Sequence, residues 1–395
     1  MNGPCIPWSP APVSMWATGV DWGVHRHTGA GIHLDGALAS IRATVLGDRL
    51  IITALIPAHN EAANVGLSIG SLHGQTRPPD RIIVISDNST DSTVEVARGA
   101  GADVMESVGN TARKAGALNQ ALAGLELSSH DFVLVMDADT QLSPTFIERA
   151  LVDFRDSTVG AVGAVFDGVQ PQGYLQYMQR LEWARYAESI DRTRRTFVLS
   201  GTAALIRWQA IGDVHQIFGR YYEERSITED MRMTMDLKIA GWRLTSPVDC
   251  QATTEMMPTV LWLFRQRRRW YLGALQNVTA YGLTSVSMPY WRQQMMLSIS
   301  VALMTLFLVL TALSVALGWF VLNPFWMAIG VVFAVERVVT IWSAGWRARL
   351  TAALVLPELV FALILQSAFV AAFHQHLTRQ TGSWHHLEGV SHVRN

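Results

Sequence analysis

From Leu50 to Asp139 the sequence alternates, at short spacing, between apolar β-branched runs and segments of helical period. "LIITALIP" reads as a buried strand ended by proline, and "EAANVGLSIGSLHGQ" as a helix. "RIIVISD", "ADVMES" and "DFVLVMDAD" are further strands. "STDSTVEVARGAG", closed by glycine, and "ARKAGALNQALAGL" are the helices between them. This order predicts an α/β fold, a Rossmann-like, mostly parallel sheet with helices on both faces. Ligands of such sheets bind beyond the C-terminal strand ends. Asn60-Glu61, Asp87 and Asp137/Asp139 fall there. "VGAVGAVF" and "TFVLSGTAALIR" add strand material, and the unit, residues 49–250, is expected to close near Pro247.

The chain has 395 residues, of which 50% are hydrophobic and only 16% charged. A soluble domain carries roughly a quarter charged residues, so the length divides into a soluble part and an apolar part. The formal net charge of −1 gives no global field for nucleic acid. Cys5 and Cys250 form neither a metal-like spacing nor a disulfide framework. Lysine occurs only at Lys114 and Lys238. Residues 1–48, rich in Gly, Pro, Trp and His, show no charged segment followed by an apolar one and hence no secretory signal. They receive no role.

After Pro258 the chain becomes membrane-like. "TVLWLFRQRRRWYLGALQNVTAYGL" has helical period and mixed polarity, as an interfacial helix should, and residues 251–292 are assigned to such helices. Residues 293–377 hold three expected spans, Met295 to Leu322, Phe325 to Ala344 and Leu350 to Phe373, the second carrying Glu336-Arg337. Residues 378–395 form a tail. Positive charge precedes the first span (Arg265 to Arg269, Arg292) and lies between the second and third (Arg347, Arg349). The positive-inside rule then predicts an integral protein of the plasma or inner membrane, its soluble domain cytoplasmic and its C-terminus outside.

Four groups of residues carry chemistry. Asp137 and Asp139, one residue apart at a strand end, point to the same side of the pleat. They repel each other unless a cation joins them, and Mg²⁺ typically takes one or two carboxylates with substrate phosphates. The same pair also suits an Asp-rich turn that caps the next helix. "SITEDMRM" puts Glu229 and Asp230 at a helix start, where acids favour the dipole and where one of them can also serve as a general base. Lys114, near another helix start, can meet phosphate as a point charge or remain a solvated surface lysine. In "FRQRRRW", Gln266, Arg269 and Trp270 share a helix face at i, i+3, i+4. Arg267 and Arg268 lie on other faces, where they are expected to reach lipid headgroups or the protein's own acidic groups.

"PAHNE", "SDNSTD", "KAGALN", "DAD", "TED" and "QRRRW" occur in the order found in membrane-bound family 2 glycosyltransferases, the inverting, processive type that includes cellulose, poly-N-acetylglucosamine, chitin and hyaluronan synthases. The resemblance covers about Leu50 to Trp270 and the trailing apolar segments. There is no G-x-G-x-x-G and no P-loop to support a dinucleotide or NTPase alternative. The resemblance implies a GT-A fold, Mg²⁺ or Mn²⁺ as cofactor, and transfer from a nucleotide sugar, usually a UDP-sugar. By motif, Pro57, Glu61 and Asp87 would line the nucleotide site. Asp137 would lie near the nucleotide and, with Asp139, hold the metal. Lys114 would meet the diphosphate or donor sugar, and Asp230, beside Glu229, would be the base. Gln266, Arg269 and Trp270 would sit over donor and acceptor, with Ser200 and Gly201 near the acceptor end. Two departures stand out. Ser86 occupies the place of a frequent first aspartate, and only three spans are expected, so that a polymer channel would require a homo-oligomer. The expected product is a β-linked polysaccharide. The alternatives are a glycosylated membrane lipid, or an inactive nucleotide-binding scaffold.

Overall fold

The computed structural model describes residues 50–379, apart from 194–195, 320, 322–323 and 343–344. The segment 1–48 and all but the first two residues of the expected tail lie outside the described residues. The chain divides into two units. A sheet unit takes residues 50–170 and 190–256, and a helical unit takes residues 171–189 and 257–379.

In chain order the elements begin β1 (Ile52–Ala58), α1 (Val65–His73), β2 (Arg81–Ser86), α2 (Thr93–Gly99), β3 (Asp103–Glu106), α3 (Arg113–Ala123) and β4 (Phe132–Met136). There follow β5 (Gln141–Leu142), α4 (Phe146–Asp153), β6 (Val159–Gly163), β7 (Val165–Gly168) and α5 (Tyr174–Thr193). Then come β8 (Ala203–Arg207), α6 (Trp208–Phe218), α7 (Glu229–Ile239), β9 (Arg243–Thr245) and β10 (Gln251–Thr254). The helical unit continues with α8 (Val260–Tyr281), α9 (Met288–Ala316), α10 (Pro324–Val339), α11 (Trp346–Ala353) and α12 (Leu356–Leu377).

Seven strands form the main sheet in the order β3-β2-β1-β4-β8-β6-β9. β1 runs parallel to β2 and β4, while β8 runs antiparallel to β4 and β6. β1 is a continuous apolar run, so the side chains that alternate between its two faces are buried on both. Ile52, Ala54 and Ile56 join the cluster that includes α1 and α4, and Leu55 joins the one that includes α3 and α6. Gly160 in β6 is fixed by packing, since a Cβ there would come within 2.7 Å of the Trp242 side chain. The second sheet, β5-β10-β7, carries the sheet unit past the expected closure at 250 to Met256.

The helical unit corrects three expectations. Among its described residues two helices, α9 and α12, are long and apolar enough to cross a membrane, not three. α10 has 16 residues, about 24 Å at 1.5 Å per residue against a hydrocarbon core of ~30 Å. The third expected span is broken at Val355, whose φ is +56°, and α12 restarts with Pro357 in its first turn. Glu358 beside it is buried and paired with Arg185 of α5 and, at 3.5 Å, with Arg337 of α10. Third, residues 171–189, expected within the 49–250 unit, belong to the helical unit.

Candidate active site

β1 lies between β2 and β4, so the order of connection reverses beside it. This is the switch point where open α/β sheets bind ligands. Three non-glycine residues at this edge hold left-handed backbone, Asn60 (φ 55°), Asn88 (φ 54°) and Arg113 (φ 56°). Such conformations are uncommon outside glycine and gather at functional loops. Pro57 is buried within β1, opposite Ile85. Beyond it Glu61 accepts from Asn64 Nδ2 at 3.1 Å. Asp87, at the end of β2, accepts three bonds at Oδ1, from Ser107 Oγ (2.7 Å), Asn110 Nδ2 (2.8 Å) and Asn88 Nδ2 (2.9 Å). The Asp91 carboxylate accepts from Ala62 N and Thr93 N and so ties the loops after β1 and β2 together.

Asp137 and Asp139 follow β4. Burial first, and then the neighbouring charges of Asp137, Glu61 and Glu255, push the Asp139 carboxyl up to about 8. Burial likewise, with Glu255, Asp137 and Asp91 adding to it, pushes Glu61 up to about 7. Glu255 carried no motif. Its place is set by β10, which pairs antiparallel to the two-residue strand directly after "DADT". Half-buried carboxylates that destabilise one another suit a hard divalent cation, Mg²⁺ or Mn²⁺. Among the described residues no three His, Cys, Asp or Glu side chains are arranged to hold a metal. Asp137 and Asp139 are the two carboxylates that would hold such a cation, with phosphate and water as its other ligands.

Lys114 links this edge to the next motif. Its Nζ lies 2.5 Å from Asp137 Oδ1, 3.2 Å from Glu229 Oε1 and 3.2 Å from the Gly201 carbonyl. Burial alone would lower the amine, but Asp137 and Glu229 outweigh it and hold Lys114 well above its usual range. The antiparallel β8 explains why the segment before it arrives here. Ala203 pairs with Met136, so Thr202 O receives the Asp137 N–H at 2.9 Å. Ser200 Oγ and Thr202 Oγ1 are 2.6 Å apart. Gly201 N donates to Asp230 Oδ2 at 3.1 Å, and a Cβ on Gly201 would stand 3.2 Å from the same oxygen. Asp137, Lys114, Gly201, Glu229 and Asp230 are thus one connected group.

Gln266, Arg269 and Trp270 lie in the helical unit, on α8. Thr259 caps this helix by accepting from Trp262 N. Of the two expectations for Arg267, an acidic group of the protein's own is the one met. Arg267 is fully buried, donates to Glu182 Oε2 and Gln266 Oε1 at 2.7 Å each, and lies over the Trp270 ring at 4.1 Å. It continues the buried stripe of Leu263 and Tyr271, four residues to either side, and it faces no lipid. Arg268 and Arg269 are only partly buried.

The Glycosyl transferase family 2 profile matches residues 53–214. The chain is 27% identical over 261 residues to a probable glucomannan 4-beta-mannosyltransferase 3 of Oryza sativa subsp. japonica, covering 61% of this chain and 46% of that protein. It is 26% identical over 267 residues to the beta-monoglucosyldiacylglycerol synthase of a Synechocystis strain, covering 62% and 52%. The chain thus spans about half the length of these curated relatives. Among solved structures, the mannosyltransferase PcManGT of Pyrobaculum calidifontis, in complex with GDP-Man and Mn²⁺, superposes with a TM-score of 0.53 at 16% identity. The match covers 89% of this chain and 97% of that one. Motif order, sheet topology and profile match agree, and residues 53–214 are a glycosyl transferase family 2 domain with the GT-A fold.

Proposed function

We propose that this chain is a membrane-integrated, inverting glycosyltransferase that moves a sugar from a nucleotide sugar, with a UDP-sugar as first candidate, to a growing β-linked glycan. The observation that carries this reading is Lys114, which joins Asp137 to Glu229 and to the loop held by Asp230. A cation for phosphate thereby stands between an acidic strand end and a candidate base. Pro57, Glu61 and Asp87 line the nucleotide side. Asp139 and Asp137 would hold Mg²⁺ or Mn²⁺, which when bound would neutralise charge on the donor diphosphate. Asp230 would take the proton from the acceptor hydroxyl, oriented by the Gly201 N–H, while Lys114 and Glu229 keep the cleft's charges in register. Ser200 and Gly201 would flank the acceptor. Gln266, Arg269 and Trp270 would serve the sugars, the indole by stacking.

Membrane integration is supported by α9, which exposes Ile299, Leu303, Leu306, Phe307, Leu310 and Leu313 along its length. The sheet unit would then face the cytoplasm, with a homo-oligomer completing any polymer path. A second reading, transfer of one sugar to a membrane lipid, is favoured by the likeness to the diacylglycerol glycoside synthase. Nucleotide release from a panel of UDP- and GDP-sugars, with product mass analysis, tests the proposal. Release with long glycan products supports it, and a single-sugar lipid product selects the second reading. Silence across the panel leaves a nucleotide-binding scaffold.

A further inference from the structure

Helix α7 offers three polar side chains to one neighbouring segment. Asp230, Thr234 and Lys238 recur every four residues and so share a face. Asp230 Oδ2 accepts from Gly201 N at 3.1 Å, and Thr234 Oγ1 accepts from Leu199 N at 2.9 Å. Lys238 Nζ donates to Phe197 O at 3.0 Å and Thr196 O at 2.9 Å. The partners recur every two residues in the opposite direction. The partner segment is no strand: it bends at Phe197–Val198 and turns at Gly201–Thr202, ahead of β8. Its irregular backbone is therefore held in place by the three rungs from α7 rather than by a strand ladder.

From this we infer that Thr234 and Lys238 are positioning residues for Asp230, with α7 acting as a ruler that sets segment 196–201 against the carboxylate. The inference rests on the reading of Asp230 as base. Thr234 is the central rung. It is fully buried, and its hydroxyl also donates to the Asp230 carbonyl at 2.7 Å. One oxygen therefore fixes both the loop and the backbone of the residue that carries the carboxylate. Lys238 anchors the far end, and Lys114 holds Gly201 from the other side through its carbonyl. With either rung removed, the Gly201 N–H drifts from Asp230 Oδ2 while the loops that carry Glu61, Asp87 and Asp139 keep their own hydrogen bonds. The loss falls on turnover and spares the donor.

The test uses the full-length protein in detergent, with the nucleotide sugar that wild type turns over and with UDP and GDP as binding probes. Thr234→Val keeps the shape but removes the acceptor and donor. It should lower kcat by roughly 10–100-fold, the worth of one unsatisfied buried group, while donor KM changes less than about twofold. Thr234→Ser should restore most of the rate, and Lys238→Met should lower kcat in the same manner. Unchanged kcat in Thr234→Val, or parallel loss of kcat and donor binding that Thr234→Ser does not rescue, overturns the inference. If Thr234→Val fails to fold, Lys238→Met decides alone, and wild-type turnover there overturns it. Asp230→Asn is run beside them. Wild-type turnover in that variant sinks the base assignment itself, a failure distinct from intact Asp230 dependence with indifferent rungs.

Discussion

The Arg267 guanidinium pairs with Glu182 at 2.7 Å and lies 4.1 Å from the centre of the Trp270 ring. A planar cation that pairs on one edge and stacks on one face cannot be replaced by a point charge. Arg267→Lys should therefore weaken acceptor use through Trp270 and Gln266, although the charge is kept. Arg267→Ala leaves Glu182 buried and unpaired, at a cost of about 3–5 kcal/mol. Arg268→Lys should be mild. Thermal midpoints and acceptor KM for the three variants check this, and a silent Arg267→Lys would contradict it.

Chelation should abolish transfer, and Mg²⁺ or Mn²⁺ should restore it. Asp139→Asn should lose metal-dependent nucleotide binding, because it removes one of the carboxylates that a hard cation needs. Calorimetric titration of UDP or GDP with and without EDTA measures the effect. Full activity in excess EDTA would refute the assignment.

Lys238 supplies a pH signature. Burial pushes its amine down to about 7, whereas in the unfolded chain it titrates near ~10.4. Between these values the unfolded chain binds the extra proton, so stability rises with pH across that window, and below about 7 the cost of the buried charge is fully present. The thermal midpoint of wild type should rise relative to that of Lys238→Met between pH 7 and pH ~10. A pH-independent difference would show that the amine is not perturbed.

If α9 and α12 are the membrane crossings of the proposed function, two crossings would bring the chain's end back to the side on which it entered, whereas three would leave it opposite. With α10 too short to span, a cysteine at exposed Thr378, in a Cys5→Ser, Cys250→Ala background, should react with an impermeant thiol reagent only after permeabilisation. Labelling of intact cells would restore the three-span topology.

The strand and helix alternation made the first half of the sheet legible, because β1, β2 and β4 are buried on both faces and read as continuous apolar runs. The motif residues at their C-terminal ends followed from that. Three features escaped. Glu255 reaches the acidic edge only through the pairing of β10 with β5, a contact between distant segments that leaves no local pattern. For Arg267 an acidic partner was among the expectations, but its full burial and the identity of that partner were not legible, because Glu182 lies 85 residues away. The place of Arg267 four residues from both Leu263 and Tyr271 was the available signal. The spans were overcounted because apolar composition does not reveal that Glu336, Arg337 and Glu358 meet inside the helical unit.

In the proposed reaction one group of residues separates donor binding from proton removal, with Asp230 on the second side. Asp230→Asn is nearly isosteric and keeps the start of α7. Nucleotide affinity and sugar transfer measured on the same preparation test it most directly. Transfer should fall by ~10²–10⁴, the usual worth of a general base, with UDP or GDP affinity unchanged within about twofold. Undiminished transfer, or an equal loss of nucleotide binding, would contradict the account and move Asp230 to the donor site or out of the chemistry.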